Sequence, residues 1–175
     1  MSDKRVRRVS VLMGSDSDLP VMAEAVRVLA RFDVPYEVHV TSAHRSPERT
    51  AEIVDTAPER GVELFIVGAG AAAHLAGTVA ARSTRPVLGV PLASSDLAGL
   101  DALLSTAQMP AGIPVGCLAI GKAGAANAGW LAVAILALAD SQLAARLVDE
   151  RRRMAEGVAA KSARASEKLE ALLGG

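Results

Sequence analysis

Short apolar runs alternate with helix-length amphipathic segments along almost the whole chain. Val6–Met13 is valine-rich and ends at Gly14, the pattern of a buried first strand. Asp18 then caps a predicted helix over Leu19–Phe32, with Pro20 tolerated in its first turn. A second strand covers Tyr36–Thr41, and a second helix runs over Pro47–Arg60 and stops at Gly61. Leu64–Val67 is a third strand, with Gly68-Ala69-Gly70 read as the start of its loop and a small-residue helix over Ala73–Arg82. Val87–Val90, Leu97–Thr106, Val115–Ile120 and Ala123–Ala139 continue the alternation as strand, helix, strand and helix. The charged segment Ser141–Leu173 is a last helix, with a break expected near Gly157.

Strands separated by helix-length segments imply right-handed parallel crossovers. The expected fold is therefore α/β: a three-layer α/β/α domain with a central parallel sheet, flavodoxin-like or Rossmann-like, spanning residues 1–175 with a helical extension from about 141. The extension reads equally as a solvated capping helix or as an arm on a neighbouring subunit. In such a sheet ligands sit at the carboxyl ends of the strands, so the loops after Met13, Thr41, Val67, Val90 and Ile120 become the places to look for chemistry.

Composition narrows the partners. Lys plus Arg and Asp plus Glu both number 19, so the formal charge is zero, which argues against nucleic-acid binding. Hydrophobic residues make up 51% and aromatics only 2%, so the core must be built from Ala, Val, Leu and Ile, and a large subunit interface is expected to complete its burial. The single cysteine, Cys117, reads as a buried inert thiol. The segment MSDKRVRR has no long apolar region behind it, and the longest apolar run, Trp130–Ala139, is too short for a bilayer. No membrane association and a cytoplasmic location are expected.

Three loops carry candidate residues. Gly14-Ser15-Asp16-Ser17-Asp18 offers hydroxyls and backbone N–H groups at a helix start, which suits either an anion or ordinary capping. In Ser42-Ala43-His44-Arg45-Ser46-Pro47, the His44 imidazole can give and take a proton and Arg45 presents a planar fork to a phosphate. Gly68-Ala69-Gly70-Ala71-Ala72-Ala73-His74 fits neither the dinucleotide fingerprint nor the phosphate loop, but can form a small apolar cavity lined by backbone amides. His74 is either a ligand contact or a capping group for nearby backbone, and His39 is an ordinary strand residue. The histidines have no zinc-site spacing, so no metal is expected.

Six segments in order, MGSDSD (13–18), SAHRSP (42–47), GAGAAAHLAG (68–77), PVLGVP (86–91), LDALLSTAQMPAGIPVG (100–116) and AIGKAGAANAG (119–129), together resemble the class I N5-carboxyaminoimidazole ribonucleotide mutases, the PurE family of purine biosynthesis. The resemblance implies an isomerase that needs no cofactor and a homo-octamer with active sites at subunit junctions. It also implies His44 as general acid and base. Ser15, Ser42 and Arg45 match the phosphate contacts, Asp18 the ribose contact, and Gly70, Ala71 and His74 the wall of the carboxylate pocket. Ala71 and Ala76 stand where the family usually has glycine and proline, and Ala71 bears on the pocket's width and backbone. Two other readings share these loops: an aminoimidazole ribonucleotide carboxylase using free carbon dioxide, and a flavodoxin-like module that only binds a phosphorylated ligand.

Overall fold

The structure, a computed structural model, describes residues 8–174. It divides into two compact units, one ending at Ile135 and one beginning at Leu136. The first holds β1 (Arg8–Met13), α1 (Leu19–Arg31), β2 (Tyr36–Val40), α2 (Pro47–Asp55), β3 (Val62–Gly70), α3 (His74–Arg82), β4 (Val87–Leu92), α4 (Leu100–Ala107), β5 (Gly116–Cys117) and most of α5 (Gly121–Ala137). The second is mainly α6 (Ser141–Leu173). Residues Val6 and Arg7 of the expected first strand lie outside the described residues.

The five strands are all parallel in the order β2-β1-β3-β4-β5. Side chains alternate across them. Leu12, Phe65, Val67 and Ala69 face Ile53 of α2, Leu75 of α3 and Ala102 of α4 in one buried cluster. On the opposite face, Gly68 meets Met22 of α1, and Gly129 of α5 lies against Ala25 and Val28 of α1. Phe32 and Trp130 meet edge to face at 5.3 Å on that side. This is the expected three-layer flavodoxin-like arrangement, and its chain order reverses direction between β1 and β3.

Several elements differ from the sequence reading. β3 runs on through Gly68-Ala69-Gly70, which are strand residues paired with Met13, Pro91 and Leu92 rather than a loop. The two glycines are there for close approach. A Cβ on Gly68 would run into the Met22 sulfur, and one on Gly70 into the Ser94 hydroxyl. β5 shrinks to Gly116–Cys117, because only these residues pair with β4. Cys117 is half-buried, and burial pushes its thiol pKa up. α4 begins later than expected, at Leu100, behind Gly99 in the left-handed region. α2 ends at Asp55, ahead of Pro58, which disfavours continued helix. The turns that follow place Arg60 against β2, where its Nη2 donates to Glu37 Oε1 at 2.9 Å and to the Ile53 carbonyl at 2.8 Å.

α6 passes Gly157 without a break. Asp140 caps its start by accepting from the backbone N–H groups of Gln142 and Leu143. Ion pairs from Arg152 to Asp149 and from Arg153 to Glu150 support its middle. One exposed glycine costs a helix only about 1 kcal/mol, too little to interrupt so many good helix formers. No helix among the described residues is long and apolar enough to cross a membrane.

Two local features have measurable consequences. Burial acts to raise the Glu37 pKa, but the Arg60 hydrogen bonds and charge, with Ser10 and His39 close by, outweigh it and hold the carboxyl at about 2 instead of the ordinary 4.5. Its unfolded form binds the proton first, so stability rises with pH across this window. The contribution is complete above about pH 4.5 and disappears as pH falls through about 2. Glu37→Gln should therefore flatten the acid limb of a stability-against-pH curve measured by denaturant titration. It should also lower neutral stability by about 1–3 kcal/mol. An unaltered acid limb would count against the Glu37–Arg60 pair. The second feature is Ala71, held at φ 51° directly after β3, a left-handed conformation that strains any residue with a Cβ. Ala71→Gly should relieve that strain and raise stability by about 1 kcal/mol, or a melting temperature gain of ~2–4 °C. A lower melting temperature would show that Ala71 is not strained.

Candidate active site

The parallel register levels the carboxyl ends of three neighbouring strands. Met13 pairs with Val40 on one side and Gly68 on the other, and the Thr41 N–H donates to the Met13 carbonyl at 2.9 Å. The loops after β1, β2 and β3 therefore leave the sheet side by side, at the point where the chain order reverses.

Each loop is shaped by its own short side chains. After β1, the Asp18 carboxylate accepts the Ser15 N–H at 3.0 Å, while the Ser15 hydroxyl accepts from the Ser17 N–H at 3.3 Å. This reciprocal box closes the 3₁₀ turn Asp16–Asp18. Asp18 makes no side-chain cap to α1, contrary to expectation, because its carboxylate is turned back into the loop. Burial raises the Asp18 pKa, against the lowering effect of the Ser15 and Gly14 N–H groups. The Ser15 hydroxyl donates to Asp16 Oδ1 at 3.2 Å and lies 2.8 Å from Ser17 Oγ.

After β2, the Ser46 N–H donates to the Ser42 carbonyl at 2.9 Å, which makes residues 42–46 a single turn ahead of α2. The Ser42 hydroxyl accepts the Arg45 N–H at 3.1 Å. The turn pushes His44 and Arg45 outward, and both are exposed. After β3, Ala71 and Ala73 take left-handed conformations and His74 opens α3.

Two contacts tie the loops together. Arg45 Nη2 donates to the Gly14 carbonyl at 3.5 Å, bridging the first and second loops. His44 Nε2 and His74 Nδ1 lie 2.6 Å apart with their rings edge to face at 4.7 Å, bridging the second and third. The His74 ring thus meets His44 rather than a backbone group. Two facing ring nitrogens this close hold one proton between them, since two N–H groups would repel. Nδ1 of His44 and Nε2 of His74 remain to meet a ligand. The arrangement offers a cation and hydroxyls for an anionic group, glycine and alanine backbone beside it, and an imidazole pair able to give and take one proton.

Ser15, Asp18, Ser42, His44, Arg45, Gly70, Ala71 and His74 thus all belong to these adjoining strand ends. His39 stays in β2, with Nε2 3.2 Å from Glu37 Oε1. A cleft of about 660 Å³ opens between residues 80–86 and 112–114, at the amino end of β4, and none of the candidate residues lines it. Three residues with a part in the site escaped the sequence reading. Ser94 rests against Gly70 from the loop after β4, and the buried Thr41 and Thr50 lie beneath the His44 loop. The four-residue spacing of Ser46 and Thr50 along one helical face was the signal for Thr50.

This geometry occurs in a chain with well-defined relatives. The family model described as AIR carboxylase matches residues 8–157. The N5-carboxyaminoimidazole ribonucleotide mutase of Mycobacterium tuberculosis H37Rv is 56% identical over 89% of this chain and 88% of its own length. The enzyme of the same name from Escherichia coli K12 is 50% identical over 86% and 89%. The crystal structure of Treponema denticola PurE superposes with a TM-score of 0.81 at 26% identity, covering 90% of this chain and 98% of that one. With most of its length matched by the family model, and at 50% identity or more to such relatives over the aligned residues, the chain belongs to the AIR carboxylase family.

Proposed function

We propose that this protein is an N5-carboxyaminoimidazole ribonucleotide mutase of purine biosynthesis, acting in the cytoplasm. The observation that carries the proposal is the His44–His74 pair, set beside Arg45 at the reversal point of the sheet in a chain half-identical to enzymes of that name.

The reaction moves a carboxylate from the exocyclic nitrogen of the substrate to a ring carbon. Cleavage of the nitrogen–carbon bond releases carbon dioxide, and the nitrogen takes a proton, giving aminoimidazole ribonucleotide. The ring carbon, part of an enamine, then attacks the same carbon dioxide and loses its own proton. One proton goes in and one comes out, so one group can serve both steps. The enamine supplies the nucleophile, and the chemistry needs no biotin, metal or nucleotide.

In this reading His44 donates to the nitrogen and later accepts from the ring carbon. His74, sharing a proton with it, stabilises the imidazolium when it forms. Arg45, with Ser42 and Ser15, holds the phosphate, and Asp18 meets the ribose. Binding energy at that remote end orients the ring over His44. The backbone of Gly70 and Ala71 offers nothing for water to bind and walls the carbon dioxide. The mutase domain spans residues 1–175 in this reading, with a helical extension from about 141.

His44, Arg45, Ala71 and His74 are exposed on the single chain, and large apolar side chains are exposed as well: Leu97, Leu100 and Leu104 near α4, and Tyr36, Val38 and Val40 on β2. Such surfaces support assembly into a homo-octamer that closes the sites. Light scattering of the purified protein should give eight times the 18.0 kDa chain mass, and a monomer mass would exclude shared sites.

The decisive assay offers the enzyme N5-carboxyaminoimidazole ribonucleotide, or aminoimidazole ribonucleotide with bicarbonate. Efficient turnover of the second alone would make the enzyme a carboxylase instead. His44→Asn should fold and bind ligand but lose ~10²–10⁴ in kcat, since only proton transfer is removed. Arg45→Ala should chiefly raise KM, on the order of tenfold to a hundredfold, through a lost charge-assisted phosphate contact. Near-normal kcat in the first variant, or unchanged KM in the second, would remove that residue from its role.

A further inference from the structure

We propose that Thr50, acting through Thr41 and Ser46, is a positioning residue that holds His44 in its reactive place; the inference rests on the mutase reading above. Thr50 is fully buried on α2 and Thr41 is buried at the end of β2, and neither reaches the surface where a ligand binds. Their hydroxyls, with that of Ser46, form a connected set beneath the His44 turn.

Proton counting makes the set almost unique. The Thr50 hydroxyl donates to the Ser46 carbonyl at 3.1 Å, and the Ser46 hydroxyl donates to the Ser42 carbonyl at 3.2 Å. Each hydroxyl has one proton, so both are then spent. In that arrangement the 2.8 Å contact between Thr41 and Thr50 uses the Thr41 proton, with Thr50 accepting. Ser46 Oγ also accepts the Ser42 N–H at 3.0 Å, so this one hydroxyl grips both backbone groups of Ser42. Ser42 in turn holds the Arg45 N–H through its own hydroxyl. The bracing thus runs from Thr50 to both ends of the turn that carries His44.

Loss of the Thr50 hydroxyl leaves the buried Thr41 proton without its acceptor. The next oxygen is Ser46 Oγ at 3.4 Å, and turning to it competes with the Ser42 contacts. The turn is then free to shift, and the 2.6 Å meeting of His44 with His74 does not survive a displacement of an ångström. A misplacement of that size costs up to ~10²-fold in rate.

The test measures kcat, KM and ligand stoichiometry with aminoimidazole ribonucleotide for Thr50→Val, Thr50→Ser and His44→Asn in the intact assembly. Thr50→Val keeps the side-chain shape and removes only the hydroxyl. It is expected to bind one ligand per subunit, like the parent, and to lose about tenfold or more in kcat. Thr50→Ser, which restores the hydroxyl, is expected to recover to within about twofold. A change that merely unfolded some subunits would lower the stoichiometry in step with kcat, and that outcome overturns the proposal. Full kcat in Thr50→Val, or no recovery in Thr50→Ser, also overturns it. If Thr50→Val fails to assemble, Thr41→Val, which removes the proton from the same contact, is expected to show the tenfold loss, and full kcat there overturns the proposal. Full kcat in His44→Asn would sink the mutase role of His44 itself, a failure separate from the others.

Discussion

The parallel pairing of β1 between β2 and β3 is the constraint on which every other feature rests. Met13 stands level with Val40 and Gly68, and three loops of unrelated sequence are delivered to one edge. A slip of one residue in either ladder would turn Leu12 and Phe65 to the opposite face of the sheet, away from the partners they pack against, and reverse the faces of Met13 and Gly68. The core therefore enforces the register, and the register brings a histidine from after β2 within 2.6 Å of one from the start of α3. The ability to share a proton across 30 residues of chain is thus a by-product of apolar packing elsewhere.

Much of this was legible in the sequence because it depends on local chemistry. Valine-rich runs gave β1 and the core of β3, Pro47 gave the start of α2, and the strand–helix alternation gave the parallel sheet. The His44 turn stood out because a serine, a histidine and an arginine at a strand end have no packing reason to be together. What failed to show depends on partners distant in sequence. Gly68 and Gly70 read as the start of a loop, and only the positions of Met22 and Ser94 reveal them as strand residues stripped of side chains for clearance. Thr41 and Thr50 looked like ordinary strand and helix residues, since hydroxyl networks are defined by who faces whom. β5 was overestimated because the apolar run from Val115 continues past the two residues that find a neighbour.

The small-residue composition and the site geometry follow from one another. With 2% aromatic residues the layers must close by approach rather than by filling, and the contacts of Gly68 with Met22 and of Gly129 with Ala25 and Val28 are of that kind. Such contacts tolerate almost no added volume, so the strand ends they hold are rigid. The same small residues continue past the end of β3 into Ala71, Ala72 and Ala73, where they leave backbone rather than side chains beside the histidine pair. A wall of this type suits a small neutral molecule, because it presents no strong hydrogen-bonding side chain to favour water over it.

Rigidity of the sheet does not by itself fix a loop that projects His44 into solvent. A short surface turn loses order unless something beneath it is stiff, and long side chains would supply contacts at a high cost in rotamer entropy. Hydroxyls on β-branched or short side chains lose little freedom when ordered, and buried they make strong, directional hydrogen bonds. Thr41 and Thr50 meet both conditions and the half-buried Ser46 meets the first, and they connect the end of the β1–β2 ladder to the start of α2. The placement of the imidazole is thereby coupled to buried side chains beneath the turn rather than to the surface around it. A brace of neutral groups also adds no charge beneath His44 or Arg45. It can hold the turn in place without perturbing the protonation that the chemistry requires, which a buried carboxylate or ammonium in the same position could not do.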